Sequence, residues 1–178
     1  ISVGYIKRAG IERGEYYYLM LFSLCGMMLM GMSNDLILIF LALELLSIPL
    51  YILSGFDRAR LESEESALKY FLLGAFSSGF LVFGIALIYG ATGSTALPEI
   101  SRAIAGSGAI GMAGLAMLLV GFAFKVGAVP FHMWTPDVYD GAPTSVTAFM
   151  SVGAKIGGFA AMLRIFAGAF ESVSAEWQ

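Results

Sequence analysis

Four ionisable side chains lie inside long apolar stretches of the sequence, and they are the first candidates for chemistry. They are one acid and three lysines: Glu44, Lys69, Lys125 and Lys155. Each such group costs about 2.5 to 3.5 kcal/mol at the centre of a bilayer, so groups of this kind usually pair or mark the path of an ion or proton. Structural pairing explains a single buried charge as well as a path does. Four charges in successive apolar stretches favour a proton path.

Glu44 and Lys69 lie at similar distances on either side of a turn near Asp57. Two antiparallel helices joined by that turn would place both side chains at a similar depth, where they could meet. Burial favours the neutral lysine and a nearby carboxylate favours the ammonium, so a lysine held between these effects can load and release protons. The hypothesis is that movement of the Glu44 carboxylate switches Lys69.

Lys125 directly precedes a segment that should interrupt its helix. Pro130 removes an amide donor and clashes with the carbonyl of Val126, while Gly127 lowers the cost of unwinding. Unwound backbone at membrane depth is tolerated only where it is buried in protein or lines a watery cavity. A lysine at such a break indicates transport. The alternative is a proline kink, with the lysine reaching towards the interface.

Two further residues could extend the path from Lys125. Lys155 lies near the middle of the last apolar stretch, among glycines and alanines that let helices approach closely, so its face should be interior. His132 is the only histidine, and histidine is the side chain that titrates near neutral pH. We expect His132 to act as a relay, although a single histidine is more often hydrogen-bonded structure. The candidate proton path therefore contains Glu44, Lys69, Lys125, Lys155 and His132.

Five apolar stretches must position these residues. About 20 helical residues cross the roughly 30 Å of hydrocarbon in a bilayer. The predicted transmembrane helices cover 16–33, 36–56, 62–91, 109–134 with a break near 126–130, and 144–170. Period-two alternation is absent from them, which favours a helical bundle over a barrel. A short interfacial helix is expected over 98–105. The sequence thus predicts an all-α membrane protein.

The composition supports a bilayer as the solvent of this chain. Its 178 residues are 58% hydrophobic and 13% charged, with a mean hydropathy of +0.82. The 10 Lys and Arg against 13 Asp and Glu give no support for nucleic-acid binding. The sequence contains no phosphate-binding glycine loop, dinucleotide fingerprint, metal-ligand spacing or nucleophile elbow. The single cysteine, Cys25, should be a packing residue.

Basic residues predict how the helices are oriented. One side of the helical serpentine carries Lys7, Arg8, Arg13, Arg58 and Arg60, and the other carries Arg102. By the positive-inside rule, the N-terminus and the 57–66 loop face the cytoplasm. Because the chain begins Ile1-Ser2-Val3, we expect it to be an excerpt of a longer protein.

Three sequence runs resemble one family. They are LELLSIPLY at 43–51, ALKYFLLG at 67–74 and FKVGAVPFHMWTPDVYDGAPT at 124–144. They are similar to the proton-conducting antiporter-like membrane subunits of respiratory complex I, the NADH:quinone oxidoreductase. The run MWTPDVY resembles the N-type members of this family more than the L and M types.

The resemblance implies a fold and roles for the candidate residues. The fold is a five-transmembrane-helix repeat with a broken fourth helix, paired with an inverted copy in a larger antiporter-like subunit. Glu44 and Lys69 match the family's charge pair, Lys125 its broken-helix lysine and Lys155 its connecting lysine. The acid or lysine of the second repeat, which would complete the exit path, is absent from these 178 residues.

The resemblance also implies cofactors, partners and location. This chain should bind no cofactor, with NADH, quinone, FMN and iron–sulfur clusters held elsewhere in the complex. Its partners should be the other membrane subunits, especially neighbouring antiporter-like subunits, and the lipid bilayer of a bacterial inner membrane.

The sequence therefore predicts a membrane-arm subunit of a translocase. It would move protons across the membrane, coupled to electron transfer from NADH to quinone, with no redox chemistry in the chain itself. One alternative is a cation/proton antiporter or membrane-bound hydrogenase subunit, which shares the row of charges without the NADH-dependent partner. Another is a structural membrane scaffold in which the buried charges only pair.

Overall fold

The computed structural model describes residues 2–177, apart from the side chain of residue 176. Its helices are α1 (Ser2–Arg8), α2 (Gly14–Met32), α3 (Leu36–Ser54), α4 (Leu61–Thr92), α5 (Leu97–Ala103), α6 (Gly108–Val126), α7 (Thr135–Gly141), α8 (Thr144–Ala169) and α9 (Ser174–Trp177). Short 3₁₀ turns occupy Ile104–Gly106 and Glu171–Val173. Within 2–177 the only β pairing is an isolated bridge between Asp35 and Ala96.

Four of these helices, α3, α4, α6 and α8, are long and apolar enough to cross a membrane. Helix α2 has the same length as α3, 19 residues, but Glu15 and the tyrosines at 16–18 make its first turns more polar. Helix α2 therefore falls outside the set defined by length and hydropathy, although it was predicted as the first of five spans. The prediction of an all-α membrane protein is confirmed.

The long helices form a ring. Helix α3 packs between α2 and α4, α4 packs on α6, and α8 packs on both α6 and α2, which closes the ring. Helices α4 and α6 approach closely because glycines face each other: a Cβ on Gly84 would lie 2.8 Å from the carbonyl oxygen of Gly114. The interior is filled by fully buried side chains, including Leu46, Leu50 and Phe122.

Side-chain contacts close the ring at both ends. At one end the hydroxyls of Tyr16 on α2 and Ser145 on α8 are 2.7 Å apart, and this end is called the Tyr16 face below. At the other end Arg164 of α8 donates from Nε to the carbonyl of Gly31 at 2.9 Å, and this end is the Arg164 face. Helix α5 lies at the Arg164 face, where Pro98 and Arg164 line one cleft.

Three expectations from the sequence can be compared with the helices and side chains of the structure. The predicted fourth helix, 109–134, is replaced by α6, a turn segment at 127–134 and the separate α7. The short helix expected over 98–105 is present as α5. Cys25 was expected to be a packing residue, and its side chain is exposed on α2, on a surface that faces outward from the ring.

Candidate functional site

A glycine ends α6 and opens the turn segment 127–134. Gly127 adopts a left-handed conformation with φ of 71°, which glycine reaches without the steric cost of a Cβ. Its amide donates to Phe124 and the amide of Ala128 donates to Ala123 at 2.8 Å, the pair of bonds that defines a Schellman motif. Pro130 and Gly127 were expected to interrupt the helix together, but the helix ends at Val126, four residues before Pro130. Gly127, not the proline, makes the break.

Lys125 is buried in the last turn of α6, with only 4% of its surface exposed. Its ammonium donates to the Ser47 hydroxyl of α3 at 2.7 Å and makes a longer contact of 3.4 Å with the Tyr70 hydroxyl of α4. The same ammonium lies 5.6 Å from the centre of the Tyr70 ring, within the range of a cation–π contact. The C-terminus of a helix also favours a cation. Three helices thus converge on one buried lysine.

Glu44 belongs to the surroundings of Lys125. Its carboxylate, partly buried on α3, accepts a hydrogen bond from Ser78 of α4 at 2.5 Å. Ser78 also lines a small cavity, together with Ser47, Ser77, Tyr51 and Lys125 among others, with about 10 Å³ in which the centre of a water molecule can lie. That volume is close to the minimum for one water. The cavity therefore joins Ser78, which is bonded to Glu44, to Ser47, which is bonded to Lys125.

The expected pairing of Glu44 with Lys69 is wrong. The Lys69 ammonium lies 2.6 Å from Glu65 on its own helix and 2.6 Å from Asp137 on α7, and 41% of its side chain is exposed. Equal distances from the turn set a similar depth for Glu44 and Lys69 but not the side of the helix on which each one lies. Lys69 instead joins α4 to α7 beside the Tyr16 face.

Lys155 follows a local irregularity in α8. Residues Met150–Ala154 form a π-helical stretch and Lys155 begins the next α-helical one; such stretches frequently occur at functional sites. The Lys155 ammonium is 5.9 Å from the centre of the Tyr139 ring. A Cβ on Gly158, one turn further on, would lie 2.8 Å from Val126 and 3.8 Å from the Lys125 stem. The small face of α8 thus packs against the end of α6, which brings Lys155 to the break.

Three aromatic rings run from one lysine to the other. Tyr70, which lies beside Lys125, stacks on Trp134 with centroids 4.7 Å apart and planes inclined by 12°. Trp134 meets Tyr139 edge to face at 5.9 Å, and Tyr139 lies under Lys155. These rings are called the aromatic bridge below. The lysines that the sequence predicted separately are therefore joined through packed side chains.

His132 lies in the turn segment, and its side chain is exposed. Its backbone carbonyl accepts from the amide of Thr135 at 2.9 Å. Among residues 2–177, no hydrogen bond links its imidazole to a candidate lysine. The relay role of His132 remains a prediction that the geometry does not support.

The hydroxyls and rings around the lysines were not expected from the sequence. Ser47 lies three residues after Glu44, so both fall on one face of α3, and this spacing could have identified it. Tyr70 directly follows Lys69 but points to the opposite partner, the Lys125 ammonium, and no spacing in the sequence indicates this contact. Across the part of the chain described, no group of three His, Cys, Asp or Glu side chains could hold a metal ion. The arrangement suits proton exchange between lysines and a carboxylate through hydroxyls and water.

Comparison with known proteins identifies the family. Residues 33–178 match the family model described as NADH:quinone oxidoreductase/Mrp antiporter, transmembrane. The chain belongs to this family. The resemblance noted in the sequence runs is thereby confirmed.

Several members of the NADH:quinone oxidoreductase/Mrp antiporter family are close relatives. NADH-quinone oxidoreductase subunit N of Trichlorobacter lovleyi is 52% identical over 181 residues, which are 99% of this chain and 37% of that protein. Subunit N of a Nocardioides species is 57% identical over 173 residues, 95% of this chain and 32% of that protein. The chain thus spans about a third of the curated relatives it matches.

Solved structures of the family share the fold. A chain of respiratory complex I from Thermus thermophilus with bound aureothin has a TM-score of 0.79 and 46% identity, covering 86% of this chain and 34% of that one. A chain of the Mrp complex from Dietzia sp. has a TM-score of 0.78 and 28% identity, and the match covers 88% of this chain and 30% of that one. Family members in different complexes therefore carry this arrangement of helices.

Proposed function

We propose that the chain is part of a subunit N of NADH:quinone oxidoreductase and that it translocates protons across the membrane, coupled to electron transfer from NADH to quinone. The observation that carries the proposal is Lys125, buried where α6 ends and held by the Ser47 hydroxyl at 2.7 Å. A cation in this position is costly unless its charge is used. The relatives that match nearly the whole chain bear the name subunit N.

In the proposed path, protons move along the row Glu44, Lys125 and Lys155. Protons pass between Glu44 and Lys125 through Ser78, Ser47 and the small cavity. Lys155 lies beyond the break, next to Tyr139. Lys69 and Asp137, near the Tyr16 face, are the proposed entry, and the exposed His132 would serve the same side.

The proposed setting is the inner membrane of a bacterium. We propose that the Tyr16 face lies in the cytoplasm; Arg13 and Arg58 line one cleft at this face, which supports that orientation under the positive-inside rule. Arg58→Cys and Arg102→Cys, introduced singly in a cysteine-free background that includes Cys25→Ser, should then react with an impermeant maleimide from opposite sides of the membrane. The proposed partners are other membrane subunits, including neighbouring antiporter-like subunits. NADH, quinone, FMN and iron–sulfur clusters would be held by other subunits, where the redox chemistry occurs.

The test is Lys125→Met in the full-length protein, assembled in its complex and reconstituted in vesicles. We expect NADH-driven proton uptake to fall at least about tenfold, because the cation at the break is lost. A tenfold change corresponds to a free-energy difference of about 1.4 kcal/mol. Lys7→Met is the matched control, because Lys7 is exposed and pairs only loosely with Glu12 at 3.7 Å. If Lys125→Met takes up protons as fast as the unsubstituted protein, the proposal is refuted and a structural scaffold becomes the better explanation.

A cation/proton antiporter is the second candidate, favoured by the likeness to the Mrp complex at 28% identity. The two candidates differ in what drives transport. Proton uptake that requires NADH and quinone supports the subunit N proposal, whereas uptake driven by a sodium gradient without NADH would favour the antiporter.

A further inference from the structure

Two buried hydroxyls next to the break lack a partner. Within the described residues, Thr135 Oγ1 and Tyr139 OH are shielded from solvent and make no hydrogen bond. Both belong to α7, one turn apart, so they lie on the same side of that helix. Buried hydroxyls are nearly always satisfied by protein or ordered water. This pair therefore points to a ligand that can both donate and accept hydrogen bonds.

The space beside these hydroxyls reaches Lys155. A Cβ built on Gly127 would lie 3.3 Å from Thr135 Oγ1 and 4.0 Å from the Lys155 ammonium, with no other atom within 4 Å. One small volume thus borders both the threonine hydroxyl and the lysine. Gly127 is needed there twice, for its left-handed backbone and for the room that it leaves.

Tyr139 is held firmly enough to position Lys155. Its backbone carbonyl accepts from the Thr147 hydroxyl at 3.0 Å, and Trp134 contacts its ring edge to face. Trp134 is itself fixed by a hydrogen bond from its indole to the carbonyl of Phe124 at 3.0 Å. An ammonium is attracted to an aromatic face, so the Tyr139 ring holds the Lys155 ammonium in place.

We propose that Gly127, Thr135 and Tyr139 form a water site at the break, through which Lys155 receives a proton. Tyr139 is a positioning residue in this proposal: its ring seats the ammonium and its hydroxyl, with that of Thr135, holds the water. In the step itself, an O–H bond of a protonated water breaks and an N–H bond to the neutral Lys155 amine forms, which leaves a neutral water and an ammonium. The inference rests on the proposed function, since it supplies the proton that Lys155 carries in the proposed path.

Two nearly isosteric substitutions test the site: Thr135→Val and Tyr139→Phe each remove one hydroxyl and keep the side-chain shape, and Tyr139→Phe also keeps the ring. In the assembled complex, each should lower NADH-driven proton uptake about fivefold, the factor for one net hydrogen bond of about 1 kcal/mol. Thr135→Ser should restore uptake because it returns the hydroxyl. Tyr18→Phe is the matched control, since the Tyr18 side chain is exposed.

A second measurement does not depend on activity. A cryo-EM map of the assembled complex at a resolution that reveals water should show density within hydrogen-bond distance of Thr135 Oγ1 and near the Lys155 ammonium. Thr135→Val should remove that density without moving Tyr139. Parental uptake in both hydroxyl variants, or no density in the parent, would overturn the water site.

Lys125→Met separates the two proposals in the same assay. If it pumps as the parent does, the proposed function fails. If it loses uptake while Thr135→Val and Tyr139→Phe keep it, the water site alone fails. Assembly of each variant is checked by its yield of intact complex, so a folding defect is recognised before uptake is compared.

Discussion

The indole of Trp134 donates a hydrogen bond of 3.0 Å to the carbonyl of Phe124, the residue before Lys125. This bond spans the turn segment 127–134 and joins the start of α7 to the end of α6. It also holds Trp134 in the aromatic bridge, where its ring stacks on Tyr70. The position of Lys125 therefore depends on Trp134, whose side chain returns across the turn segment to the end of α6.

Trp134→Phe should weaken this connection. It removes one buried hydrogen bond, worth about 1 kcal/mol, and part of the stacking surface. We expect a lower melting temperature of the purified complex and a loss of NADH-driven proton uptake. Trp177→Phe is the control, because the Trp177 indole donates the same kind of bond, at 2.9 Å, to the carbonyl of Phe170 away from the lysines. Equal loss of uptake in both variants would contradict a specific role for Trp134.

Ser47→Ala should reduce proton uptake without unfolding the chain. It removes the acceptor at 2.7 Å from the Lys125 ammonium, and a bond to a charged group contributes about 1.5 to 3 kcal/mol. A reduction of about tenfold or more in uptake is expected. Ser54→Ala is the matched control, since Ser54 is also buried on α3 and bonds to a carbonyl of its own helix at 2.6 Å. Uptake that falls equally in Ser54→Ala would point to general damage to α3.

A double-mutant cycle tests which lysine Glu44 serves. Because Ser78, the partner of Glu44, lines the same small cavity as Lys125 while Lys69 pairs with Glu65 and Asp137, Glu44→Gln should be strongly non-additive with Lys125→Met in proton uptake. With Lys69→Gln it should be nearly additive, as for residues without shared partners. The opposite pattern would restore the pairing of Glu44 with Lys69.

Gly127→Ala should destabilise the chain by about 1 to 2 kcal/mol, the cost of the left-handed conformation for a residue with a Cβ. Thermal unfolding of the purified protein measures this loss. Gly79→Ala is the control: Gly79 lies inside α4 with nothing near the position of a Cβ, so alanine there should be neutral or stabilising. If Gly127→Ala melts no earlier than Gly79→Ala, the backbone strain assigned to this position is wrong.

The apolar stretches and the polar, Gly or Pro residues between them predicted the helices, because helix formation depends mainly on local sequence. The depth of each charge followed from helix length, and the break followed from the Gly and Pro near Lys125. What could not be predicted is which side of a helix faces which neighbour. Glu44 and Lys69 have matching depths, yet Lys69 lies towards α7, because the short α7 folds back against α4 and supplies Asp137. The aromatic bridge likewise needs α7 to return to α4, which no local pattern encodes.

The π-helical stretch at Met150–Ala154 sets the direction of everything after it in α8. A π turn holds one residue more than an α turn, and one residue corresponds to about 100° around the axis. Lys155 is the first side chain beyond it. Without that extra residue, the part of α8 before the π-helical stretch would keep contacts such as that of Ser145 with Tyr16, and the Lys155 ammonium would be turned about a quarter of a circle away from Tyr139. The direction of the Lys155 side chain therefore depends on this one π-helical stretch.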